Sequence, residues 1–194
     1  TLDCALAMKR YDRIDFLDMK EKGHRSIPGY AVYEEEKVNL SGFLRSYNEA
    51  IVAVGSNDLR EAKTSRLMSL GIPLATVIHP TAVISPFSHI SRGCAVLARA
   101  VVNPNAHVGT GCIVNTGAII EHDCIIGDFA NICPGVSMAG HTKIGRKSFL
   151  GIGSTIMDDI TVGEESVVGA GAVVIRNVPD RVVVAGVPAK EIHS

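Results

Sequence analysis

Tryptophan is absent, and aromatic residues make up only 5% of the 194 positions. A core of large rings is therefore excluded, and packing falls to Ile, Val, Leu and Ala. The five cysteines form no Cys-x-x-Cys pair. An odd count without such pairing argues against a disulfide frame and for reduced thiols in a cytoplasmic protein. No cluster of Lys and Arg stands out from a net charge of −1, so no grip on nucleic acid is expected. No apolar run approaches the length that spans a bilayer, and no secretory signal is found. No membrane partner is expected. What is present is a globular composition, 46% hydrophobic and 20% charged, with 19 glycines suited to many tight turns.

The dominant pattern is a period of six. Positions 78, 84, 90 and every sixth residue up to 174 are Ile, Leu or Val, with Met138 the sole exception among 17 positions, and Asp180 ends the series. A second column lies two residues earlier and is mostly small: Ala82, Ser88, Cys94, Ala100, Ala106, Cys112, Ala118, Cys124 and Ala130. Residues two apart on a strand share a face. An amphipathic helix repeats its apolar positions at three and four and cannot produce this register. One short strand per hexad predicts a parallel β-helix. Three hexads make a triangular coil, so residues three hexads apart should stack, and residues 78–174 give about five coils. Gly follows the aliphatic residue at 109, 127, 145, 151, 163 and 169, where the chain is expected to turn.

The region ahead of the repeat lacks this period. Residues 13–18 and 50–55 read as buried strands, 57–70 as a helix capped by Ser56 or Asn57 and stopped by Gly71, and 72–78 as a further strand. Such alternation predicts a small α/β unit over residues 1–76, ahead of a β-helix domain over 77–194. Residues 1–10 read as a helix already under way. The strand and Gly-rich turn that open a Rossmann-like unit are missing, so the unit is expected to be N-terminally incomplete.

The segments FLD at 16–18, VGSND at 54–58, IHPTAVIS at 78–85, VNTGAIIEHD at 114–123 and VVVAGVPAK at 182–190 carry a resemblance. The chain resembles the bacterial sugar acetyltransferases that join a small Rossmann-like domain to a left-handed β-helix of hexapeptide repeats. These include N-acetyltransferases of nucleotide-linked amino sugars in surface glycan synthesis and the sialic-acid O-acetyltransferase family. The resemblance implies left-handed coiling, where the usual crossover rule favours the right hand. It also implies acetyl-CoA as cosubstrate, no metal, and a homotrimer with acetyl-CoA in the groove between neighbouring β-helices. The fold class expected is mainly β, with the small α/β unit appended.

Acetyl transfer from a thioester needs a neutral amine or hydroxyl as nucleophile, and a positioned imidazole can take its proton near neutral pH. His122 sits two residues past the inward Ile120, where the hexad turns outward. By its residues alone it reads rather as a solvated turn histidine, and it is the resemblance that makes it the base. Asp123 is implied as the acid that orients it, with Glu121 an alternative, and Asn115 as a residue that helps arrange the site. The resemblance also implies cofactor contacts at Asn131, Ile152 and Ala170, and sugar-nucleotide contacts at Asp18 and Gly55; Lys190 can reach a CoA phosphate as a point charge or stand as a solvated surface lysine. Asn131 stands where the amino-sugar enzymes carry a second His, and Met19 where they carry a second Asp. Asn can still donate to a thioester carbonyl. His89 and His107 are three hexads apart and should stack, which falls short of the three-His zinc site of a γ-type carbonic anhydrase. His141, one position past the residue that stacks on His122, falls on nearly the same face. Competing functions are O-acetylation of a sialic acid, a carbonic-anhydrase-like metalloenzyme and a non-catalytic β-helix module.

Overall fold

The computed structural model describes residues 1–18 and 27–192. From Val77 onward the chain winds as a left-handed parallel β-helix with very short strands. The strands stack into three flat sheets. The first face holds strands 77–78, 95–96, 113–114, 131–132, 149–150 and 167–168, then Val183–Ala185. The second runs from 83–84 to 173–174, and the third from 89–90 to 161–162. Partners sit three hexads apart through the whole repeat, as in Ile119 with Ser137 and Ile125 with Lys143. The predicted triangular coil is therefore the observed one.

Inside the prism the aliphatic and small columns meet. Val96, Val114, Ile120, Ile132, Leu150, Ile156 and Val168 are fully buried, as are Cys94, Ala100, Cys112, Ala118, Cys124 and Ala130. The first three coils thus contribute three aliphatic side chains and three small ones each, while the later coils place Val136 and Ile160 in the small column. All five cysteines are free and buried. No helix among the described residues is long and apolar enough to cross a membrane.

The turn glycines have a different cause from the one expected. Gly127 lacks a positive φ. Its hypothetical Cβ would lie 2.6 Å from the backbone N of Arg146 in the next coil, so the requirement is close stacking of chains. The left-handed residue falls two positions later, at Gly111, Gly117 or Gly135, and elsewhere at non-glycine residues such as Asn105, Asp123 and His141.

The repeat also runs further than the sixfold column. Val167 pairs with Val183, and Val162 bridges Val178, so the last coil closes two positions sooner than the others. A final strand, Lys190–Glu191, folds back antiparallel on Val184 and Ala185.

The N-terminal unit contains α1 (Leu2–Ala7), β1 (Phe16–Asp18), β2 (Val32–Glu34), α2 (Leu40–Leu44) and α3 (Asn57–Ser69). β1 and β2 are parallel. The strand at Val32–Glu34 and the helix at Leu40–Leu44 carried no periodic apolar signal. Residues 50–55 are not a strand: Ala50 bridges Leu74, and the carbonyls of Val54 and Gly55 turn instead to Arg60. Of residues 72–78, only Val77–Ile78 form a strand. The expected α3 is present, with Ser56 Oγ accepting from Leu59 N and Gly71 in the left-handed region. Met19 lies outside the described residues.

This unit is seated on the β-helix. α1 packs its Cys4 and Ala5 against Val77 and Ala95 of the first face. α3 lies along the corner between the third and first faces. There Arg60, 1% exposed, donates to the carbonyls of Gly111, Phe129, Val54 and Gly55 and to Asn57 Oδ1. Burial pushes the Arg60 guanidinium below its ordinary pKa. Around it, Lys147 bridges Asp58 and Glu165 at 2.7 and 3.0 Å, and Arg146 pairs with Glu61.

This packing sets two expectations for stability. Replacing Arg60 by Met orphans several buried carbonyls at about 1–3 kcal/mol each, partly offset by removal of a desolvated charge, so the loss should be at least about 2 kcal/mol in chemical denaturation. Gly127→Ala should lower the unfolding midpoint more than Gly135→Asn. The first forces backbone apart, while the second meets nothing within 4 Å at a φ that Asn tolerates.

Candidate active site

The corner between the second and third faces holds His122 and Asp123. Their side chains are about half and two-fifths exposed. His122 Nδ1 donates to Asp123 Oδ2 at 2.8 Å. A carboxylate only accepts, so this bond places the proton on Nδ1 and leaves the Nε2 lone pair free. Asn105 Nδ2, one coil earlier, donates to the other oxygen, Oδ1, at 3.1 Å. The bond from His122, and then that from Asn105, hold the Asp123 carboxyl below its ordinary pKa. Asp123 therefore stays ionised through the neutral range. Asp123, rather than Glu121, is the partner of His122.

Two further residues belong to this corner. His141, one coil beyond Asp123, places Nε2 3.9 Å from Asp123 Oδ2, and its ring stands edge-on to His122 with centroids 5.2 Å apart. Gly140 lies next to the His122 ring, where an added Cβ would come within 2.6 Å of Cε1. The signal for Asn105, Gly140 and His141 was present in the stacking of successive coils, which sets Asn105 and His141 on either side of Asp123 and Gly140 beside His122.

The other predicted residues lie elsewhere. Asn115, Ile152 and Ala170 occupy the corner between the first and second faces. Asn115 does not take the left-handed conformation there; Gly117 does, and Asn115 Oδ1 accepts from Thr116 N at 2.8 Å. Ile152 is 58% exposed, and its carbonyl accepts from Gly171 N beside the exposed Ala170. Lys190 is exposed on the returning strand beside Ala185. Asn131 sits on the first face, buried, with its amide donating to Gly55 O at 3.3 Å. Within one chain, then, Asn131 meets Gly55 and not His122.

Gly55 itself borders a groove of about 420 Å³ between α3 and the first face, lined by residues 55–58, Lys147, Phe149, Glu165 and Val167. A Cβ on Gly55 would meet nothing within 4 Å, so the chain's own packing does not demand glycine there. Asp18 ends β1, opposite Glu34. His89 and His107 stack on the third face with ring centroids 6.0 Å apart. Among the described residues no third ligand joins them in a metal-binding cluster.

Two family descriptions match the sequence: bacterial transferase hexapeptide (six repeats) at residues 141–176, and the PglD N-terminal domain at residues 1–67. No curated protein matches. Among solved structures, the acetyltransferase domain of PglB from Neisseria gonorrhoeae, in complex with acetyl coenzyme A, is 36% identical with a TM-score of 0.89. The match covers 98% of this chain and 91% of that one. A variant of perosamine N-acetyltransferase from Caulobacter crescentus, in complex with CoA and GDP-perosamine, is 34% identical with a TM-score of 0.84, over 88% of this chain and 81% of that one. WeeI from Acinetobacter baumannii is 26% identical with a TM-score of 0.81, over 92% of this chain and 85% of that one. Identity of this order over nearly the whole chain, on the same coil and the same N-terminal unit, makes this protein a member of the bacterial nucleotide-sugar acetyltransferases built on hexapeptide repeats.

Proposed function

We propose that the protein transfers the acetyl group of acetyl-CoA to the amino group of a nucleotide-linked sugar in surface glycan synthesis, with His122 as general base. The observation that carries this reading is the 2.8 Å bond from His122 Nδ1 to Asp123, which presents a basic Nε2 at an open corner. The neutral amine attacks the thioester carbonyl as Nε2 takes its proton. A C–N bond forms, the tetrahedral centre collapses, the C–S bond breaks, and the imidazolium returns the proton to the departing CoA sulfur. No covalent enzyme intermediate is needed. Perosamine N-acetyltransferase, solved with CoA and a GDP-linked amino sugar, supports this acceptor class. Both substrates are cytoplasmic metabolites, and the reaction is assigned to that compartment.

The nucleotide end of the acceptor is assigned to the N-terminal unit, at Asp18 and in the groove beside Gly55. The open space over the Gly55 Cα supports that assignment. Residues 1–76 serve as the sugar-binding domain and 77–194 as the transfer domain.

The same reading requires more than one copy of the chain. Ile152 and Ala170, the expected CoA contacts, lie on a different corner of the prism from His122, with the whole second face between them. Four of the six outward residues of that face, Val83, Val101, Ile119 and Val173, are apolar, the others being Ser137 and Thr155, and Val83 is 63% exposed. A homotrimer that sets the Ile152 corner of one copy against the His122 corner of the next completes the site between subunits.

His122→Ala should lower kcat by roughly 10²–10⁴-fold on the best amino-sugar acceptor while leaving acetyl-CoA binding intact, with Asp123→Asn losing less. A panel of nucleotide-linked amino sugars and hydroxyl-bearing analogues, followed by CoA release, measures this. Full activity in His122→Ala, or faster transfer to a hydroxyl acceptor, would refute the reading. Trimerisation is tested by complementation. His122→Ala and Ile152→Arg, each inactive alone, should regain part of the activity when co-expressed, because some interfaces then join two intact corners.

A further inference from the structure

The His122 corner has a chemical property that general-base catalysis does not use. Asn105, Asp123 and His141 occupy equivalent places in three successive coils, each with φ at +60°. The left-handed backbone aims their side chains outward from one edge. Asn105 occupies Asp123 Oδ1, so Oδ2 is the oxygen turned toward both imidazoles, 2.8 Å from His122 Nδ1 and 3.9 Å from His141 Nε2. One donor atom from each of His122, Asp123 and His141 lies within 4.8 Å of the other two. The backbone is locked beneath them, since His141 N donates to His122 O at 3.1 Å. Gly140 leaves the space next to the His122 ring free of a side chain.

We infer that this corner binds a late first-row divalent cation, Zn²⁺ foremost, and that the bound ion switches transfer off by capturing His122. The inhibitory half of this inference rests on His122 being the base. Two imidazoles and one carboxylate form a nitrogen-rich donor set suited to Zn²⁺, with a fourth position open to water. Bonds of about 2.0–2.2 Å put tetrahedral donors roughly 3.3 Å apart, which half-exposed side chains reach by χ rotation without backbone movement. Asn105 holds the carboxylate in place, as the outer hydrogen bonds of a metal site do. Ligation removes the base either way. A metal on Nε2 occupies the catalytic lone pair, and a metal on Nδ1 leaves the proton on Nε2. The ion takes no part in acetyl transfer.

The test is calorimetric titration of Zn²⁺ into the chelator-stripped full-length chain, without CoA or acceptor. One ion per chain is expected, with a tetrahedral visible absorption band when Co²⁺ is the probe. His141→Ala should weaken Zn²⁺ binding at least tenfold. His141→Gly, which suits the positive φ without strain, should do the same if alanine disturbs the fold. Asn105→Ala should weaken binding while keeping the stoichiometry. Unaltered affinity in both His141 variants would overturn the site. Initial rates of sugar acetylation, read by mass spectrometry because CoA thiol itself binds zinc, should fall as the site fills. Unchanged rates at saturation would overturn the inhibition. Full turnover in His122→Ala would instead sink the base assignment and leave the calorimetric result standing.

Discussion

The structure depends on the closure of a triangular coil of three hexads. Backbone amides donate to carbonyls one coil later, as in Ile119 N to Val136 O at 2.8 Å and Asn131 N to Ser148 O at 2.9 Å. Strands this short have little cooperativity of their own, so stability comes from stacking coil upon coil. That stacking explains the small inward column, the bare glycines where coils run closest, and the burial of Cys94, Cys112 and Cys124. It also means that any side chain acquires fixed neighbours one coil away in each direction.

The candidate site is built from those neighbours. A turn histidine on a smooth β-helix would be an ordinary solvated group. His122 is directed because Asp123 accepts the hydrogen bond from its Nδ1 and Asn105, one coil away, pins that carboxylate, which is what the proposed base requires. His141 shares the same carboxylate from the other side. The repeat thus converts a period in sequence into a row of polar side chains along an edge.

The N-terminal unit is held to the prism by a buried cation that finds no carboxylate among the described residues. Arg60 instead satisfies its three nitrogens with main-chain carbonyls and Asn57. The desolvation cost is offset by many charge-assisted bonds, and the geometry fixes the loop before α3 against the first face. The groove beside Gly55 is a consequence of that seating, as is the bond that draws Asn131 under Gly55.

The triangular coil of residues 78–174 was legible in the sequence because of a period of six with a strict inward aliphatic residue, while its left hand came from the resemblance. The outward turn that carries His122 and Asp123 was legible too, since the same register sets it, while the role proposed for them came from the family resemblance. The N-terminal unit was read less well. Residues 50–55 are apolar enough for a strand, yet the carbonyls of Val54 and Gly55 are claimed by Arg60, a contact that no periodicity announces. The shortening of the last coil was likewise invisible to a rule of six. By itself the sequence determined the coil, its core and the edge on which His122 stands, because these follow from periodicity and side-chain volume. Only the tertiary structure decided which residues meet: Asn105, Asp123 and His141 on one corner, Ile152 and Ala170 on another, and Asn131 beneath Gly55. Those meetings arise where separate coils and a docked helix come together in space, at separations a local pattern does not encode.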